Sequence, residues 1–325
     1  MIDWHWRRRL AGVRHPRRLA ARLKARARHS VAPGPTETAY VLMSLGKWLP
    51  RAAKAIILRR IGRMRRRTPA TVSSSYDNVR GRVRLADFDE FVFGKPGDPE
   101  IVLSDGHIRW RSRTEVRRIE REHVVSVVAD ACAGIRAPVV LEVGSGTGAN
   151  LMLLSRRHPH IRAIGLELSP VSVELARRAA ASFGLAIEFQ EADVSRKLVL
   201  DIGQPVDVVF SCHALEQMPD VFSGALDNVL AIAGSEAVFF EPVGECYPKS
   251  MRGLVGRLRL IAVDYLNGLH AALVDRGTEI TSVRALGFGL TPFNETVEIR
   301  VRTVGMDSPG SLGSPRIPRT DQPGI

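Results

Sequence analysis

The 325 residues are 45% hydrophobic and 25% charged, enough apolar material for one large α/β domain with extensions or two modest domains, and too much for a wholly disordered chain. The formal net charge of +13 is uneven: residues 1–70 hold 19 Lys and Arg against 2 acids, and the rest of the chain sums to −4. A body of that charge is ill suited to a polyanion, so nucleic acid is not an expected partner. Cys132, Cys212 and Cys246 show no CxxC spacing, which supports neither a disulfide framework nor a zinc site, and the expectation is buried thiols, no metal, and a reducing, cytoplasmic location. No apolar run is long enough to span a bilayer, and residues 1–30 lack the apolar core and cleavage site of a secretory signal.

Residues 1–70 read as a basic, partly helical or disordered arm, split at "VAPGPTE". Its second piece, "YVLMSLGKWLPRAAKAIILRRIGRMRRR", sets Leu45, Leu49, Ile56, Ile57 and Ile61 among cations, as a basic interfacial helix would, with Pro50 expected to interrupt it. Peripheral contact with anionic lipid is one reading of this arm; a solvated arm, or residues ahead of a true downstream start, are the others. A linker, "RRRTPATVSSS", precedes a β-rich lead-in over residues 71–113, with turns at "KPGDPE" and "SDGH". From Thr114, taken as an N-cap, Val116, Ile119, His123, Val124, Val127 and Val128 recur at helical spacing.

Strands are then expected near residues 138–143, 161–167, 186–190, 206–211 and 235–241, with helices near 148–157, 170–183 and 220–232. Short β-rich runs alternating with longer helices predict a doubly wound, mostly parallel sheet within a domain spanning 114–306. "YPKSMRGLVGRLRLIAVDYLNGL" reads as one long cover helix with Leu254, Leu258, Ile261, Tyr265 and Leu269 as its apolar stripe. "EITSVRAL" and "ETVEIRVRTV" have no convincing helix between them and are expected to pair antiparallel at one edge, ahead of a disordered Pro/Gly/Ser-rich tail at 307–325.

In such a fold the ligand lies beyond the carboxyl ends of the strands, which makes "VVLEVGSGTGANLMLL" (139–154) the natural site. "GSGTGA" satisfies G-x-G-x-x-A and Glu167 lies 23 residues past Gly144, so a dinucleotide oxidoreductase is one hypothesis. Glu142, two positions before the first glycine, would repel a pyrophosphate and hold a ligand bearing a cationic amine. Asp193, in "EFQEADV", adds a third acid at the same edge, and no Gly-Lys-Ser/Thr run supplies a nucleotide P-loop.

"LEVGSGTGANL", "IGLELSP", "EADV" and "VDVVFSCHALEQMPD" resemble, in order and spacing, the motifs of class I S-adenosylmethionine-dependent methyltransferases over roughly residues 115–302. The resemblance implies a seven-stranded sheet whose last strand is antiparallel. It assigns Glu142 and the backbone of Gly144, Gly146 and Gly148 to the methionine portion of S-adenosylmethionine, with Ser145 and Ser211 in the same cofactor site. Glu167 would accept from the ribose hydroxyls, Asp193 and the Val194 amide would meet the adenine edge, and Leu168 its face. S-adenosylhomocysteine would be the product.

Methyl transfer from a sulfonium needs an aligned nucleophile and little covalent help. His213, directly after the fourth strand, is the candidate general base, against a reading in which it lines the pocket; relatives often carry a further histidine where this chain has Gln217. Glu241, Tyr247, Arg252, Tyr265 and Asn294 are candidates to face the acceptor, and Arg252, Arg257 and Arg259 hint at an anionic one. The run after the fourth strand lacks the Asn/Asp-Pro-Pro-Tyr/Phe signature of adenine and glutamine N-methyltransferases, which favours a small-molecule acceptor. The alternatives are an NAD(P)-dependent oxidoreductase and a non-catalytic cofactor-binding protein tethered by its arm.

Overall fold

The computed structural model describes residues 35–62, 85, 87–196, 204–218, 224–265 and 268–303. The Arg-rich residues 1–34, the expected linker, residues 220–223 of the helix expected at 220–232, and the tail lie outside them.

Seven strands form the main sheet: β3 (Val139–Val143), β4 (Arg162–Glu167), β5 (Ile187–Glu191), β6 (Val206–Cys212), β7 (Ala233–Glu241), β8 (Glu279–Ala285) and β9 (Val297–Arg302). They lie in the order β5-β4-β3-β6-β7-β9-β8. The pairs from β5 through β7 are parallel, and β9 runs antiparallel to both β7 and β8, so the last strand alone is reversed. A hairpin of β1 (Glu100–Ser104) and β2 (His107–Arg111) stands apart as a second small sheet.

The central strand shows why the sheet must be covered twice. Side chains alternate along it, so Val139, Leu141 and Val143 enter one core while Val140 enters the other. Glu142 shares the face of Val140, where α3 (Arg113–Ala131), α4 (Ala149–Arg157) and α5 (Pro170–Ser182) pack. On the opposite face, α6 (Leu226–Ile232) and α8 (Leu269–Asp275) cover Leu141, Val209 and Phe239. Ser169 caps α5 by accepting from the Ser172 amide, with Pro170 at the first helical position.

Several expectations are corrected. Residues Phe88–Phe93 of the expected β-rich lead-in form a helix, α2, capped by Asp87. The N-cap of α3 is Ser112, whose Oγ accepts from the Thr114 amide, while the Thr114 hydroxyl donates to the Lys95 carbonyl at 2.7 Å. On α3 the buried position is Glu120, 5% exposed, and Ile119 turns outward at 38%. The expected cover helix breaks after α7 (Met251–Val263) at Asp264, which adopts a left-handed conformation.

That helix also buries a different face. Leu254 is exposed, and Gly253, Val255, Gly256 and Leu260 face inward. A Cβ on Gly256 would sit 2.7 Å from the Tyr247 ring, so glycine, not leucine, lets α7 close on the body.

The arm is less free than its charge implies. Residues Pro35–Arg60 form one helix, α1, that runs through Pro50. The missing amide falls on the exposed side, and the neighbouring Lys47 carbonyl takes the Arg51 guanidinium at 2.8 Å, so the helix is not interrupted there. Val41 packs with Val255 and Phe293, Tyr40 stacks on Phe293 with ring centres 5.9 Å apart, and Arg59 pairs with Asp264. Near its start, Glu37 accepts from the Ile108 amide of β2 at 3.1 Å.

Two glycine substitutions should therefore act in opposite directions in denaturant unfolding. Gly256→Val forces a branched side chain against Tyr247 and should cost about 1–3 kcal/mol. Gly46→Ala, in α1 with nothing within 4 Å of the added carbon, should gain roughly 0.5–1 kcal/mol.

Candidate active site

The carboxyl ends of β3 to β7 bring the sequence candidates to one edge. Glu142 is the next-to-last residue of β3, Glu167 ends β4, Asp193 follows β5 by two, His213 follows β6 by one, and Glu241 ends β7. Between β3 and α4, Gly144, Gly146 and Gly148 all have positive φ, at 67°, 54° and 79°. Packing dictates the outer two, where a Cβ would lie 2.4 Å from Ala214 and from the Phe189 ring. At Gly146 an added carbon meets nothing within 4 Å, and α4 starts at Gly148 without a side-chain cap.

Glu142 is 1% exposed. Its Oε1 accepts from Asn150 Nδ2 at 2.7 Å, and its Oε2 has no partner; the Asn150 Oδ1 and the Ser145 hydroxyl are likewise buried and unpartnered. Burial pushes the Glu142 carboxyl up to about 8, against the Asn150 hydrogen bond and the charge of Arg121, with Glu167 adding to the rise. Glu167 is held rigidly: one oxygen accepts from the Gly146 amide at 2.9 Å and the other from Ser169 at 2.8 Å. Each oxygen keeps a second lone pair. Leu168 beside it is partly exposed.

Asp193 folds into its own turn, accepting from the Ser195 amide and hydroxyl and lying 3.3 Å from Arg196 Nε. Val194 is a core side chain, 4% exposed, whose carbonyl accepts from Asn228.

His213 occupies a left-handed backbone conformation, φ 53°, and its ring is bracketed by acids. Nε2 lies 2.9 Å from Glu120 and 3.0 Å from the Thr296 hydroxyl, and Nδ1 lies 3.4 Å from Glu216. Burial alone would lower its pKa, but the charges of Glu120 and Glu216 and their hydrogen bonds outweigh that and hold it well above the ordinary histidine value. For Glu120 the largest effect is again burial, which would raise it, and His213 reverses the sign, so the pair is ionic. An imidazolium in this clamp has no lone pair with which to take a proton at neutral pH.

Residues 140–233 match the family model of a methyltransferase domain. That stretch, from β3 to the start of β7, is similar to methyltransferase domains. Over 113 residues the chain is 31% identical to a release factor glutamine methyltransferase of Deinococcus radiodurans, covering 33% of this chain and 39% of that protein. A second, of Burkholderia pseudomallei, is 34% identical over 84 residues, 24% of this chain and 30% of that protein. The chain thus spans well under half the length of these two relatives. The structure of the (4+2) cyclase SpnF superposes with a TM-score of 0.52 at 18% identity, covering 74% of this chain and 97% of that one, a likeness of fold.

The likeness to methyltransferase domains implies S-adenosylmethionine as the group to be held, and the residues present fit such a ligand. Three unpartnered buried polar atoms, on Glu142, Ser145 and Asn150, ring the start of a loop whose middle glycine leaves room for close approach. A buried carboxyl with a spare oxygen suits an ammonium donor and disfavours a diphosphate.

Several expected site residues are spent inside the fold. Ser211, expected at the cofactor, is fully buried and donates to Glu241 at 2.8 Å. Glu241, expected at the acceptor, also has no exposure and accepts from the amides of Ala214, Leu215 and Glu216, closing the turn that carries His213. Burial and then Glu216 push it up to about 7 despite these donors. Tyr247 is buried with its hydroxyl on the Glu295 carbonyl. Arg252 pairs with Glu295 at 2.7 Å, Arg257 donates to the Tyr247 carbonyl, and Arg259 donates to Asn294 at 2.6 Å, so the hint of an anionic acceptor lapses. Tyr265 lies under the Arg259 guanidinium, 5.5 Å from its ring centre. Asn294 reaches Glu216 at 3.5 Å and so borders the His213 cluster.

Sequence reasoning missed Glu120, Asn150 and Thr296. Glu120 carried a readable signal, since it stands four residues from both Val116 and Val124 on the apolar face of α3. Asn150 stands among the apolar residues of α4, eight residues past Glu142, and the signal there is weaker.

The elevated Glu142 has a measurable consequence in the protein without ligand. Its folded pKa of about 8 exceeds the ordinary 4.5, so its contribution to stability is complete below 4.5 and is lost as pH rises through 8. Melting temperature should fall less between about pH 6 and pH 9 in Glu142→Gln than in the parent chain; parallel profiles would refute the assignment.

Proposed function

We propose that this chain transfers the methyl group of S-adenosylmethionine to a small-molecule acceptor by direct displacement. The observation that carries the reading is the buried Glu142 carboxyl, one oxygen unpartnered, beside the open middle glycine of the β3–α4 loop. In this reading Glu142 and Asn150 take the ammonium of the amino-acid end, and the uncapped start of α4 lies beside its carboxylate. Glu167, oriented by the Gly146 and Ser169 amides, takes the ribose hydroxyls, with Leu168 and Asp193 toward the adenine. When bound, the cofactor supplies a methyl carbon on a sulfonium whose thioether is a ready leaving group.

The protein's part is then positioning and exclusion of water. His213, clamped as a cation between Glu120 and Glu216, holds the turn after β6 and does not serve as a base in this reading. The acceptor therefore arrives already nucleophilic, as a carboxylate, thiolate, enolate or free amine. A protein glutamine acceptor is what the names of the curated relatives would suggest; against it stands "FSCHALEQMPD" after β6, without the Asn-Pro-Pro-Tyr run.

Calorimetry with S-adenosylhomocysteine tests the cofactor assignment. Binding near pH 7 should release up to one proton as Glu142 ionises, and affinity should rise toward about pH 8. Glu142→Gln should lose roughly 10–100-fold in affinity, as expected for a charged hydrogen bond. Tighter binding of NAD would overturn the reading. Once an acceptor is in hand, kcat at saturating cofactor should show no rising limb near pH 6.5, whereas kcat/KM for the cofactor climbs toward about 8. Recovery of a labelled methyl group on protein instead of a small molecule would overturn the acceptor class alone.

A further inference from the structure

The outer face of α1 is apolar along its length. Leu42, Leu49 and Ile56 recur every seven residues, Met43 and Ile57 lie on the neighbouring rows, and Ile61 follows in the turn just past the helix. These six side chains are 41% to 59% exposed. They leave the inner face of the helix, with Val41, Ser44, Ala52 and Ala55, to pack against the body. Lys47, Arg51 and Lys54 border the apolar rows on one side, Arg60 stands at their end, and no acid occurs from Thr38 to Ile61. At 26 residues the helix is about 39 Å long, so the row is extended. It cannot be a span: among the described residues no helix is long and apolar enough to cross a membrane.

We propose that α1 docks this protein on an anionic membrane surface, its axis in the plane of the interface. The apolar rows enter the headgroup boundary, and the flanking cations meet anionic headgroups. Charge complementarity selects this occupant. The helix lies in a segment, residues 1–70, with 19 cations and 2 acids, while the rest of the chain is net negative, so an acidic bilayer attracts this face and repels the others. The tethers at Glu37, Phe293 and Asp264 fix α1 to the body, so docking would orient the whole domain. Through α7, whose Arg259 holds Asn294 beside Glu216, the docked face adjoins the cluster around His213. The inference is independent of the reaction proposed above.

The test is co-sedimentation of the full chain with phosphatidylcholine vesicles, with and without phosphatidylglycerol, at 0.1 M and 0.5 M salt. The Arg-rich residues 1–34 also attract anionic lipid, and salt screens that attraction. The decisive variant is therefore Leu49→Ser with Ile56→Ser and Ile57→Ser, which keeps every charge. The expected result is binding to anionic vesicles that partly survives 0.5 M salt, and partition at least roughly tenfold weaker in the variant, with unchanged melting temperature because the three side chains are exposed. Equal pelleting of the two proteins, or complete loss of parent binding at 0.5 M salt, overturns the proposal. A concentration-dependent dimer that the variant disperses would place a second copy of the chain on this face and overturn it as well.

Discussion

A carboxyl group buried near the end of the central strand must either find a cation or hold a proton, and much of the sheet's carboxyl edge is arranged around that demand. Glu142 cannot turn away, because β4 and β6 pair with β3 on both sides and fix its face. Asn150 satisfies one oxygen only. The glycine loop after it supplies what a helix-packed residue lacks, an approach for a ligand backbone beside Gly146. In the proposed reading the domain tolerates an acid with one unpartnered oxygen because that oxygen is kept for the ligand's ammonium.

The second acid cluster obeys a different logic. Glu120, Glu216 and His213 neutralise one another in part, while Glu241 collects three backbone amides and the Ser211 hydroxyl. A histidine in a left-handed conformation after β6 is held from helix α3, from the strand-flanking Thr296 and from its own turn. Such a lattice holds the ring in place, whereas a base would need a free ring nitrogen. A scaffold of this kind does not fix the chemistry, and the residues at its edge do.

The sheet was legible in the sequence because buried parallel strands carry apolar runs, and much of β3, β4, β6 and β7 reads that way. The acid-lined edge was legible because Glu142, Glu167 and Asp193 fall at or within two residues of the ends of three successive strands. What failed had local physical causes. The buried stripe of α7 is carried by Gly253 and Gly256, which hydropathy does not score as contact residues. Pro50 was expected to interrupt α1, but its missing hydrogen bond falls on the exposed face. Ser211 and Glu241 looked available for ligands, since a hydrogen bond between residues thirty apart leaves no trace in sequence spacing.

The carboxyl resonance of Glu142, followed by carbon-detected NMR in the free protein and with saturating S-adenosylhomocysteine, tests the account most directly. Titration is expected near pH 8 in the free protein, with a fall by at least about two units when the ligand's ammonium arrives. A Glu142 that titrates between about 4 and 5 in the free protein, or that does not move on ligand binding, would contradict it.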